Sequence, residues 1–247
     1  MAIEEIIKKQ LGHITATVYR MVENQEQIAT RSYVDSAEEQ DILEQILEDS
    51  KPKVHADTPP GMHYLLKTPF RYPPLRHGSR FGSQFEPGIF YGGLDKQTTL
   101  AEVAYYRFIY WFSPEKPFPN SLVSQHTLFS ASFESSDGCD LSHPKFKDFT
   151  QQLRSPTHYD FTQKVGSHMR SSGVESFIYF SARGTEHSKC AGLFSPTAFI
   201  DLKPTILGTF FCEVNDNYVS FRKTGEFERS QFSVEQFKVD GLFPRPA

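Results

Sequence analysis

The chain has 247 residues, 38% hydrophobic and 14% aromatic, enough to bury a sizeable core and to exclude a fibrous or disordered class. Its 26 basic and 30 acidic residues are interspersed and give a net charge of -4, so no basic stripe offers itself to nucleic acid or to an anionic membrane. Cys139, Cys190 and Cys212 are odd in number and too widely spaced for a disulfide framework or a Cys-x-x-Cys metal site, and read as buried thiols of a reducing compartment.

The opening MAIEEIIKKQLGHI is acidic where a signal peptide would be basic, and nothing downstream is apolar for long enough to cross a bilayer. A cytoplasmic protein is expected. Ile3, Ile6, Ile7 and Leu11 recur at helical spacing before Gly12, predicting a short amphipathic helix over 3–11. Residues 14–22 (ITATVYRMV) alternate and are rich in β-branched types, predicting a strand with Arg20 near its end. That arginine either reaches past the sheet edge to solvent or serves a site.

Ser36-Ala37-Glu38-Glu39 reads as a capping box, and the helix after it carries Ile42, Leu43, Ile46 and Leu47 as an apolar stripe. KPKVHADTPPG is an irregular connection. The segment before it is too small to fold alone, so one domain spanning 1–247 is expected, with a helical arm inserted at about 23–60. The stripes at 3–11 and 42–47 serve equally as core or as the interface of a homodimer. Residues 62–68 (MHYLLKT) read as a buried strand. A proline-rich path then mounts Arg71 and Arg76 on stiff backbone, as a ligand clamp or as solubilising charge.

Residues 78–107 organise the rest. A glycine-rich loop carries Arg80 into a short strand, Ile89-Phe90-Tyr91, and a Gly92-Gly93 turn leads to a helix from Thr99 to about Phe112. Its buried face would be Leu100, Val103, Ala104, Phe108 and Trp111, with Glu102 placed beside Tyr105 and Tyr106. Thr99-Leu100-Ala101-Glu102 also fits a capping box, in which the glutamate only closes the helix end. Further on, a strand is expected over 122–133, a helix from Pro144 to Leu153 capped by Ser142, and a helix over 160–171 stopped by Gly173. Gly166, inside that last helix, leaves room for another backbone to come close. GVESFIYFSARG is the clearest strand and delivers Ser181 and Arg183 to its end. Cys190 to Phe194 returns beside it, and residues 205–214 and 217–223 form a hairpin around Asn215-Asp216.

The sequence has no Gly-x-Ser-x-Gly elbow, no His-Glu-x-x-His, no phosphate-binding P-loop and no Gly-x-Gly-x-x-Gly fingerprint. Arginines, a tyrosine, one glutamate and one serine remain, each at the end of an element.

These residues resemble the RES-domain family, the toxins of RES/Xre toxin-antitoxin modules, named for an Arg, a Glu and a Ser met in that order. The strand-end pair Tyr19-Arg20, the loop Gly78-Ser79-Arg80-Phe81, Tyr91, Glu102, the run Tyr179-Phe180-Ser181-Ala182-Arg183 and the segment Ala191 to Pro196 carry the resemblance over about residues 14–200. The arm is extra length against compact members, and Gly-Ser-Arg-Phe replaces the commoner Gly-Gly-Arg-Trp.

The resemblance implies an α+β fold similar to ADP-ribosyltransferases, a split antiparallel β-core with flanking helices. It also implies destruction of NAD+ at the nicotinamide–ribose bond, as a phosphorylase or a glycohydrolase, with phosphate or water as acceptor. An Xre-like helix-turn-helix antitoxin would cover the active site. NAD+ would be the substrate, with no cofactor and no metal. Glu102 would offset the charge of an oxocarbenium-like ribose. Arg80 and Arg20, with Arg71 and Arg183 behind them, would hold the diphosphate. Tyr91 would stack on nicotinamide or ribose, and Ser181 would hydrogen-bond the ribose or carboxamide. Transfer of ADP-ribose to a protein would use the same pocket, and a catalytically silent binding module is the reading from another class.

Overall fold

The computed structural model describes residues 2–24, 33–74 and 76–245. Its longest strands pair with each other: β1 (Leu11–Glu23) runs antiparallel to β3 (Leu122–Asp140), from Leu11 opposite Cys139 to Glu23 opposite His126. Both outlast their expected limits, because each strand satisfies the other's backbone groups well beyond the stretch that alternates clearly in sequence.

The other edge of β3 is divided. β6 (Thr205–Val214) pairs antiparallel with Leu122 to Ser130, whereas β4 (Ser176–Phe180) pairs parallel with Gly138 to Asp140. The sheet therefore opens in the middle of β3. From β4 the ladder passes to β5 (Lys189–Leu193), then to β2 (Phe90–Gly93), and returns to β1 where Tyr19 faces Gly93, closing a ring of five strands. β7 (Tyr218–Lys223) and β8 (Arg229–Ser233) extend the sheet beyond β6. The expected α+β class with a largely antiparallel, split core is observed.

Helices cover this core. α1 (Ile3–Lys9) buries Ile3, Ile6 and Ile7 against the same cluster as α6 (Asp160–Ser171), around Phe81, Phe177 and Tyr179. α4 (Lys96–Trp111) lays Leu100, Ala104, Tyr105 and Phe108 over the β6–β8 side, with Phe221 and Phe237. A third cluster joins Phe90, Phe129 and Phe133 to Leu65, Leu66 and Phe70. All three cysteines are buried free thiols.

Several expectations are corrected. Residues 62–68 are no strand: His63 caps a helix, α3 (Tyr64–Arg71), by accepting the Leu65 amide, and Leu65, Leu66 and Phe70 form its buried face. An apolar run this short fits either period, and packing against the Phe90 cluster chose the helical one. The helix after residue 143 begins as 3-10 turns at Pro144–Phe149 and becomes helical over α5 (Thr150–Leu153). His143, not Ser142, caps it, because Ser142 is already bonded to Asp140. β8 was not expected at all.

Residues 25–32 of the arm lie outside the described residues. In the rest, α2 (Ala37–Ser50) is capped by Ser36 as expected, but Ile42, Ile46 and Leu47 are exposed rather than core. The arm is pinned to α3 by Arg71, which donates to the Glu48 carboxylate at 2.6 Å and to the Pro52 carbonyl.

Candidate functional site

The first turn of α4 decides the role of Glu102. Asp95 is its N-cap, accepting the Thr98 amide at 2.7 Å and the Thr98 hydroxyl at 2.6 Å. The capping box expected at Thr99 is therefore not formed. The Thr99 hydroxyl instead lies 3.1 Å from the Tyr19 carbonyl, tying α4 to the end of β1, and Glu102 is left free to turn inward.

Glu102 Oε1 accepts from Ser181 Oγ at 2.5 Å, with Cys190 Sγ at 3.8 Å from the same oxygen. Ser181 is fully buried, and its Oγ also accepts the amides of Arg183 (3.0 Å) and Gly184 (2.9 Å). With two donors occupying its lone pairs, the hydroxyl has its own proton to give, and gives it to the carboxylate. No hydrogen bond to Oε2 is formed among the described residues, and Glu102 lines the neighbouring cavity.

Arg154 fixes this loop. Its Nε donates to the Ser181 carbonyl at 2.7 Å and its Nη2 to the Thr185 carbonyl at 2.7 Å, with longer bonds to Gly184 and Glu186. Nothing in Arg154's immediate sequence advertises that role, since the carbonyls it reaches are about thirty residues away.

The glycine loop folds as its composition suggests. Gly78 takes a positive φ of 75°, which a side chain would resist, and Ser79 N closes the turn on Gly82 O at 2.7 Å. The Tyr91 hydroxyl holds the loop, accepting the Phe81 amide at 3.0 Å and pairing with Ser79 Oγ at 3.0 Å. Arg80 is thereby sunk to 9% exposure, with Nη2 donating to the Leu153 carbonyl at 2.8 Å and the guanidinium near the rings of Tyr159 and Tyr179. Its Nε is buried with no partner among the described residues. Gln163 of α6 reaches the carbonyls of His77 and Ser79 and completes the support.

Arg20 enters from β1. Its Nη1 donates to the Tyr91 carbonyl at 3.2 Å, its guanidinium lies over the Phe90 ring at 4.8 Å, and burial lowers its pKa to about 10. Among the described residues neither Arg20 nor Arg80 meets a carboxylate within ion-pair distance.

Arg20, Arg80, Tyr91, Glu102, Tyr106 and Cys190 all line one cavity of about 280 Å³. Four expected site residues, Arg20, Arg80, Tyr91 and Glu102, are thus brought together from β1, the 78–82 loop, β2 and α4. Ser181 stands behind Glu102 rather than at the cavity wall, so it orients the carboxylate instead of touching a ligand there. Arg183 is turned away: its Nη2 donates to the Pro156 carbonyl at 2.7 Å, and its guanidinium stacks 3.5 Å over Tyr105. Tyr105 is core, bonded through its hydroxyl to the Pro244 carbonyl, and does not flank the carboxylate as expected; Tyr106 does. Arg71 lines a separate, larger cavity.

Burial pushes the Tyr91 phenol up to about 12, against the smaller opposing effects of its bonds to Ser79 and Phe81 and of nearby Arg80 and Arg170. The neutral phenol is thus favoured by the fold, so its contribution is fully present below pH 10 and is lost as pH rises towards 12. In urea titrations, Tyr91→Phe should show a shallower fall of stability between pH 10 and 12 than the parent protein. Identical slopes would remove Tyr91 as a source of that dependence.

Two guanidinium groups without acidic partners and one oriented carboxylate suit a ligand that carries phosphate at one end and develops positive charge at the other.

A family model described as RES domain matches residues 54–211, which include Arg80, Tyr91, Glu102 and Ser181 but not Arg20. No curated protein matches the sequence. Among solved structures, a chain of the M. tuberculosis MbcT-MbcA toxin-antitoxin complex superposes with a TM-score of 0.48 at 9% identity, over 83% of this chain and 89% of that one.

Proposed function

Because the chain belongs to the RES-domain family, we propose that it is the toxin of a toxin-antitoxin pair and destroys NAD+ by cleaving the nicotinamide–ribose bond. One observation carries this reading. The Glu102 carboxylate, oriented by a buried serine at 2.5 Å, opens onto the same cavity as two arginines that lack acidic partners.

In the reaction the C1′–N bond breaks with its electron pair going to nicotinamide, which leaves as a neutral ring. Positive charge is left on the ribose, between C1′ and the ring oxygen. Glu102 Oε2 would accept from a ribose hydroxyl and offset that charge, an interaction stronger in the transition state than in the bound substrate. Arg20 and Arg80 would neutralise the diphosphate, and the Tyr91 ring would flank the leaving group. Capture by water, with loss of a proton, gives ADP-ribose; capture by inorganic phosphate gives its 1-phosphate ester. The partner would be an Xre-like helix-turn-helix antitoxin lying over the cavity mouth.

The test is to incubate the purified protein with NAD+, with and without phosphate, and to identify products by mass. Nicotinamide with ADP-ribose or its phosphate ester is the expected result. Label from NAD+ retained on a protein band would favour transfer to protein, and unchanged NAD+ would reject the proposal.

A further inference from the structure

Beside the Glu102 cavity lies a chamber of about 750 Å³ between the arm and α3, and Arg20 lines both. The size difference matters. Sites that enclose a drug-sized ligand run from roughly 300 to 1,000 Å³, so a cavity of about 280 Å³ is too small to enclose a whole dinucleotide, whereas the chamber falls well within that range.

The chamber's charge is one-sided. Arg20, Lys51, Lys67 and Arg71 line it against a single carboxylate, Glu48. Hydrogen bonds from Lys51 (2.8 Å) and Arg71 (2.6 Å) hold that carboxyl down at about 2, so it is committed to those two cations. Lys67 and Arg20 have no ion pair among the described residues. Tyr64 and Tyr72 add aromatic surface to the same wall, the kind of face on which a purine ring stacks. Glu48 and Lys51 both precede the segment matched by the family model, so the inserted arm supplies that part of the lining, whereas Tyr64, Lys67 and Arg71 come from α3.

We propose that this chamber is the subsite for the phosphorylated adenosine half of the substrate, with Arg20 at the junction where the diphosphate passes from one cavity to the other. The inference rests on NAD+ as substrate for its catalytic meaning, but it makes a separate binding claim: a nucleoside diphosphate binds the chamber without any chemistry at Glu102. Lys67, on α3, is the cation free to meet its phosphates.

Calorimetric titration of the full chain with ADP tests this, alongside turnover of NAD+ and of nicotinamide mononucleotide, which lacks the adenosine half. The expected results are saturable ADP binding, weakened about tenfold or more by Lys67→Glu and less by Lys67→Gln. NAD+ should be cleaved more efficiently than the mononucleotide, and Lys67→Glu should shrink that advantage. Absence of ADP binding, or affinity indifferent to Lys67→Glu, overturns the subsite even if NAD+ is consumed. Lys67-dependent ADP binding without NAD+ cleavage would keep the subsite and reject the catalytic reading alone.

Discussion

Glu102→Gln should reduce NAD+ consumption at least about a hundredfold while leaving the fold intact, because one preorganised electrostatic group typically carries 10²–10³ of a rate. Glutamine keeps the shape of the side chain and an oxygen that can still accept from Ser181 Oγ, now 2.5 Å from the carboxylate. What it removes is the negative charge that the ribose cation needs. The loss should appear in kcat with KM little changed, since the interaction grows only as the C1′–N bond breaks. The thermal midpoint should stay close to that of the parent, because Asp95 and not Glu102 caps α4. Ser181→Ala is the companion variant. It leaves the carboxylate charged but free to turn, and strips the Arg183 and Gly184 amides of their acceptor, so both a smaller fall in kcat, about tenfold, and a measurable loss of stability are expected. A Glu102→Gln protein with parental turnover would return the residue to a structural role.

The contrast between Glu102 and its neighbours shows what a sequence discloses. Arg80, Tyr91 and Glu102 stand in elements whose local patterns are clear, a glycine turn, a short apolar strand and an amphipathic helix, and they do share one cavity. Which way each side chain faces was less legible. Tyr105 and Tyr106 are adjacent in sequence and both aromatic, yet one is fully buried in the core and the other faces the cavity. The difference is set by Phe237 and Phe243, which pack on Tyr105 from the far end of the chain. Arg183 was expected to reach the diphosphate because it follows Ser181, but the strand ends at Phe180 and the chain bends over residues 182–184, so Arg183 does not line the Glu102 cavity. Its guanidinium is spent on Tyr105 and the Pro156 carbonyl. Arg154 and Cys190 carried no local signal, because both act on groups distant in sequence. The 62–68 segment failed for another reason: seven residues of mixed apolar content satisfy either period, and only the surface they pack on decides.

Gly166→Ala tests the support beneath Arg80 and should destabilise the protein by about 2 kcal/mol, lowering the thermal midpoint by roughly 4–8 °C. Two effects oppose each other. Alanine in the middle of α6 gains about 1 kcal/mol of helix propensity over glycine. Against that, a Cβ at residue 166 would lie 1.8 Å from the Phe81 carbonyl oxygen and 2.7 Å from its carbonyl carbon, both backbone atoms that cannot rotate aside. Relief requires α6 and the 78–82 loop to move apart. That motion strains the Tyr91 hydroxyl's bond to the Phe81 amide and pulls Arg80 away from the Leu153 carbonyl. Steric repulsion at such a separation exceeds the propensity gain, so the net sign is destabilising, and NAD+ turnover should fall with it because Arg80 lines the cavity on that loop. Gly12→Ala is the control, since nothing lies within 4 Å of a Cβ placed there, and its stability should stay within about 0.5 kcal/mol of the parent. If Gly166→Ala instead melts at or above the parent temperature with full turnover, α6 and the arginine loop are not in the close contact that positions the guanidinium.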